Sequence, residues 1–163
     1  MYMPKPGPGH LKLERLAGSW EGEETMYPSQ WDPKGGIAIG RSTNQLTLGG
    51  FALINEYEQE RDGAITFTGH GVMTFDPKSE QYTLHWFDCI GSPPEVFSGR
   101  FDGDLLILGH GGPGMHARFT YDLGEAGRMK TRMEMSHDGG TWKTMFEGRY
   151  RAPMTGDPIA PRR

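Results

Sequence analysis

"QYTLHWFD", residues 81–88, alternates without a break. In an extended chain Tyr82, Leu84, Trp86 and Asp88 point to one side, and Thr83, His85 and Phe87 to the other. A period of two marks a strand with two unlike faces. Tyr82 and Leu84 make the first face the inward one, so Trp86 and Asp88 are expected inside with them. "KTRMEMSH", residues 130–137, repeats the pattern: Thr131, Met133 and Met135 stand opposite Lys130, Arg132 and Glu134.

Working outward, the same texture runs from Trp20 almost to the end. Strands are expected near 18–26, 36–48, 51–60, 65–75, 81–88, 95–101, 104–110, 115–122, 129–136 and 141–150. Between them stand turn signals such as Asp62-Gly63, Asp76-Pro77, Asp102-Gly103 and Asp138-Gly139-Gly140. Glycine supplies the positive φ of tight turns, and aspartate accepts backbone hydrogen bonds at their first positions. Nearly every connection is short enough for a hairpin, which makes the sheet antiparallel. About ten such strands leave two raw edges unless they close, so the expected fold class is all-β, an antiparallel meander barrel. The helical candidate is "HLKLERLAG", residues 10–18, a short N-terminal segment with Leu11, Leu13 and Leu16 on one face and Gly18 at its end.

The 163 residues suit a single domain: an extended segment over 1–9, the barrel over 10–151 and a flexible tail over 152–163. A net charge of −4 and no basic cluster argue against nucleic acid and against an anionic membrane surface. No apolar run approaches the ~20 residues of a membrane span, and "MYMPKPGPGH" has no hydrophobic signal core. The cytoplasm is therefore the expected location, and a homodimer is compatible with the sequence. The single cysteine, Cys89, agrees with a reducing compartment and reads as a small buried side chain.

Near the N-terminus, "LERLAGSWEGEE" carries Gly18, Trp20 and Gly22 on the first strand. It is followed in order by "LGGFALINEYE", "GHGVMTFDPKSEQYTLHWFDCIG", "GRFDGDLLIL" and "SHDGGTWKTMFEGRYR". Taken together, residues 10–151 resemble a bacterial lipocalin-like family of uncharacterised function, related in architecture to the calycins and more distantly to nitrobindin. The resemblance implies a ten-stranded antiparallel barrel around an internal cavity. Nitrobindin-like relatives hold haem through a histidine on a late strand. "TWKTMFEGRYR" has no histidine at that place, and the nearest, His137, sits beside a turn. No cofactor is expected.

"GHGGPGMHARF", residues 109–119, invites two chemical readings. An esterase loop of this type works with a Gly-x-Ser-x-Gly elbow, and Ser19, Ser92 and Ser98 all lack that setting. His110 and His116 supply at most half of a tetrahedral zinc site, and no His-x-His, Cys-x-x-Cys or His-Glu-x-x-His spacing completes it. The stretch is expected to be a glycine-rich hairpin at the barrel rim, without metal.

The candidate cavity residues are Trp20, Glu56, His70, Trp86, Asp88, Arg118 and Glu134. Glu56 follows an apolar run, and His70 lies between Gly69 and Gly71, where absent side chains leave room for an imidazole. Arg118 and Glu134 fall on neighbouring strands and can pair. Four tryptophans and ten methionines offer large, adaptable apolar surfaces. The expected function is binding of a small, mainly apolar molecule in the cavity. The first alternative is an enzyme (isomerase, hydratase or hydrolase) using Glu56, His70 or Asp88 as acid or base. The second, which the resemblance implies, is a haem-binding, nitrobindin-like protein, and it needs a histidine not seen at the matching place.

Overall fold

A computed structural model describes residues 1–152. Its ten strands are β1 (Gly18–Met26), β2 (Gly36–Thr47), β3 (Ala52–Arg61), β4 (Ala64–Asp76), β5 (Gln81–Asp88), β6 (Glu95–Asp102), β7 (Leu105–Gly112), β8 (Met115–Asp122), β9 (Arg128–Ser136) and β10 (Lys143–Arg151). Each pairs antiparallel with its sequence neighbours, and β1 pairs β10 to close the barrel. Closure leaves no raw edge, which is why so many short strands are stable in one sheet. The proposed tail over 152–163 lies, apart from Ala152, outside the described residues.

The β1–β2, β3–β4, β5–β6, β7–β8 and β9–β10 connections gather at one end of the barrel. The N-terminal segment closes the other. It consists of an α-helical turn, α1 (Pro8–Leu11), followed by a 3-10 turn over Lys12–Leu16. Leu13 and Leu16 are buried, whereas Leu11 is about half exposed. The change from α to 3-10 winding shifts the helical phase, so Leu11 leaves the apolar face expected for it. Where the helical turn ends, the Leu16 carbonyl has lost its intrahelical partner. It accepts instead from Trp20 Nε1 at 3.0 Å and Asn44 Nδ2 at 2.8 Å, tying the plug to β1 and β2. Gly18 stands between plug and strand at φ 118°, a backbone angle that a side chain would strain.

Above the plug lies the apolar core. Leu13, Leu16, Trp20, Leu53, Leu106 and Leu108 belong to one buried cluster that fills the closed half of the barrel. Tyr82 and Leu84 are buried and Phe87 is exposed, so β5 faces as its alternation predicts. Cys89, expected inside, is exposed on the β5–β6 loop, where its Sγ lies 3.4 Å from the Thr68 amide. It falls just past the strand end, where the alternation no longer buries anything.

Candidate functional site

The open half of the barrel encloses a cavity of about 310 Å³. This is near the lower end of the range for small-molecule pockets. Its wall is largely aromatic and thioether: Tyr57, Phe67, Trp86, Phe119, Tyr121 and Phe146, with Met26, Met129 and Met133. Ile90 and Glu95, both exposed, mark where it reaches solvent. Each inner position is set by strand parity. Trp20, Gly22, Glu24 and Met26 alternate along β1, and Asn55, Tyr57 and Gln59 along β3.

Trp86 lies flat against the wall because β4 has no side chain beneath it. A Cβ at Gly69 would overlap the indole. The room left by Gly69 therefore accommodates Trp86 on the inner face, and not the imidazole of His70. The indole N–H donates to Asp88 Oδ2 at 3.0 Å, while Asp88 Oδ1 accepts from the Ile90 amide at 3.1 Å. That pair pins the ring and fixes the start of the β5–β6 loop.

One wall of the cavity is polar, and its centre is Glu24, which is fully buried. Tyr57 donates to its carboxylate at 2.6 Å, Gln59 Nε2 donates at 3.1 Å, and the Tyr150 hydroxyl donates to the other oxygen. Thr131 Oγ1 in turn donates to the Tyr150 hydroxyl at 3.4 Å. Gly40, opposite, leaves the space the carboxylate occupies. A buried charge is tolerable only when its lone pairs are met in this way. No buried side-chain polar atom among the described residues lacks a partner.

Burial and the nearby Glu24 charge raise the Tyr57 and Tyr150 hydroxyls far above the ordinary tyrosine range. Burial alone does the same for Tyr121. The unfolded chain ionises its tyrosines near pH ~10, so it releases these protons first as pH rises. Their contribution to stability is complete below about pH 10 and declines above it. Burial raises the Tyr82 hydroxyl as well, so at about pH 11 the phenolate absorbance of the folded protein is expected to fall short of that of the urea-unfolded chain by at least these three residues. Equal absorbance would mean that the tyrosine wall is open to water.

The sequence-predicted residues divide. Trp86 and Asp88 line the cavity together, as their shared face requires. Glu56 and His70 meet across β3 and β4 at 2.5 Å, but both are substantially exposed on the outer surface of the barrel. Arg118 and Glu134 form the expected pair, at 3.0 and 3.2 Å, also on the outer surface, with the Arg118 guanidinium stacked 4.1 Å over Trp142. Trp20 belongs to the closed-end core below the cavity. Sequence reasoning missed Glu24, Tyr57, Gln59 and Tyr150.

The stretch 109–119 forms a hairpin turning at Pro113-Gly114. His110 is cross-strand partner to Ala117, and His116 to Gly111. Cross-strand partners share a face, so the two imidazoles stand on opposite faces of the hairpin and cannot hold one ion. His110 Nδ1 lies 2.9 Å from the Val96 carbonyl instead. No group of three or more potential metal ligands occurs among the described residues. Nor does any histidine line the cavity, so the imidazole ligation of haem that the nitrobindin resemblance brings finds no partner there. A second depression of about 400 Å³, between Trp31, Met115 and His137 at the rim, shares no residue with the cavity.

Residues 5–152 match the family described as "Protein of unknown function (DUF1579)". The chain belongs to that family. This DUF1579 chain is similar in structure to the crystal structure of Rv2717c from M. tuberculosis. The TM-score is 0.67 at 14% identity, over 90% of this chain and 98% of that one. It is also similar to the S-type phycobiliprotein lyase CPES from Guillardia theta, with a TM-score of 0.58 at 10% identity, over 89% and 92% of the two chains. At such identities the likeness is one of fold. No functionally curated protein matches the chain.

Proposed function

We propose that this calycin-like barrel binds a small, mainly apolar molecule in its open half, and that it does so in the cytoplasm. The observation that carries the reading is the enclosed aromatic and methionine wall around about 310 Å³, broken by one polar cluster at Glu24. An apolar wall with a few convergent polar groups is the usual composition of a small-molecule site. Closing the barrel and plugging one end gives a rigid cup, so binding requires little ordering of the protein. The acid–base alternative loses two of its three residues, because Glu56 and His70 stand outside the cup. Its third, Asp88, is engaged by Trp86 and the Ile90 amide.

The test is a fluorescence titration with the neutral dye N-phenyl-1-naphthylamine. The expected result is saturable 1:1 binding in the micromolar range, on the order of 8 kcal/mol. Trp86→Ala should weaken it by about tenfold, near 1.4 kcal/mol, without unfolding the barrel. Thr83→Ala, on the outer face of the same strand, should leave it unchanged. Absence of saturable binding, or weakening by Thr83→Ala and not by Trp86→Ala, would contradict the proposal.

A further inference from the structure

The charge of the cavity wall restricts the ligand further. Three carboxylates line it, those of Glu24, Asp88 and Glu95, and no Lys, Arg or His does so among the described residues. None of the three forms an ion pair with a basic side chain among those residues. Resting on the binding function above, we infer that the cavity selects a protonated amine carried on an apolar body, and disfavours a carboxylate.

Two independent features support the same sign. The first is the polarity of the Glu24 cluster. Tyr57 and Tyr150 commit their hydroxyl protons to Glu24, as does one amide proton of Gln59. A hydroxyl has one donor and two acceptor sites. Tyr57 already accepts from Gln59 Nε2 at 3.3 Å and Tyr150 from Thr131 Oγ1 at 3.4 Å, so each retains one lone pair for a ligand. A ligand presenting N–H groups completes that wall, whereas an anionic ligand meets lone pairs and a buried carboxylate. Against the low-dielectric wall of the barrel such charge effects are screened less than in bulk water. The second feature is the aromatic lining. Tyr57 stands 6.3 Å from Trp86 and 6.0 Å from Phe67, and Phe119 stands 6.0 Å from Phe146, ring centre to ring centre. Ring faces attract a desolvated cation and gain nothing from an anion. Asp88 and Glu95, at the mouth, add a field that draws cations in and turns anions away.

Three compounds of one carbon skeleton separate the possibilities by isothermal titration calorimetry at pH 7 in low salt: 4-phenylbutylammonium, 4-phenylbutan-1-ol and 4-phenylbutyrate. The expected order is ammonium over alcohol by about tenfold, a factor within reach of a desolvated cation–π contact, with butyrate weakest. Glu24→Gln should shrink the ammonium preference. Because that variant alters a buried cluster, the double variant Asp88→Asn/Glu95→Gln at the mouth provides a second reading and should shrink it as well. Alcohol binding as tightly as ammonium, or butyrate binding tightest, would overturn the charge assignment while leaving the cavity reading intact. So would an ammonium preference unchanged in both variants. Failure of all three compounds to bind would remove the cavity reading itself.

Discussion

Replacing Trp20 by alanine is expected to cost about 3–5 kcal/mol of stability, the range for large-to-small changes in a packed core. Trp20 is only 7% exposed and packs in the cluster that includes Leu13 and Leu16. Its indole N–H also holds the Leu16 carbonyl. Truncation would open a void at the closed end and loosen the tie between plug and β1. Asn44 still donates to that carbonyl, so the loss stays within the packing range and does not add a wholly unsatisfied acceptor. Chemical denaturation of the two proteins measures the difference. A loss below about 1 kcal/mol would mean that the N-terminal turns are not part of the core.

Glu24→Leu is expected to destabilise the barrel by about 2–4 kcal/mol. An unsatisfied buried polar group costs ~1–3 kcal/mol, and water entering the cavity offsets part of the sum. Leucine nearly preserves the volume, so the effect isolates the missing acceptor. Three donors that converge on Glu24 would lose it: the hydroxyls of Tyr57 and Tyr150 and the amide of Gln59. Adding Tyr57→Phe and Tyr150→Phe to the Leu variant should restore part of the stability, because an apolar group beside an apolar group leaves nothing unpaired. If Glu24→Leu unfolds at the same denaturant concentration as the parent, the cluster is not a structural centre of the open half.

The strands were legible because a closed barrel has two environments and each strand must alternate between them. β5 and β9 show this most plainly, and their inner faces are as the alternation predicts. Trp86 and Asp88 followed from the same parity. Glu56 did not, because Ala52 and Leu53 at the start of β3 are both buried. Two adjacent inward-packed residues hide the phase of the alternation, and the apolar run before it made Glu56 read as an inward residue. Glu24 escaped notice for a different reason: "EGEET" reads as a solvated strand face. The signal that could have found it was its position, two steps of the alternation after Trp20 on β1, with Gly22 as the inward residue between them. Tyr150 emerges only from the closure of β10 onto β1, a contact spanning almost the whole chain. The Gly69-Trp86 fit likewise depends on the register of β4 against β5, which local sequence does not specify.

The cavity itself is tested most directly by methyl NMR of the protein labelled at its ten methionines and titrated with N-phenyl-1-naphthylamine. Met26, Met129 and Met133 line the cavity, whereas Met73 lies in the core and Met1 and Met3 are exposed at the N-terminus. The predicted result is intermolecular contacts from the dye to the methyls of Met26, Met129 and Met133, and none to Met1, Met3 or Met73. A dye that binds saturably yet contacts none of the three lining methionines would contradict a binding site inside the barrel.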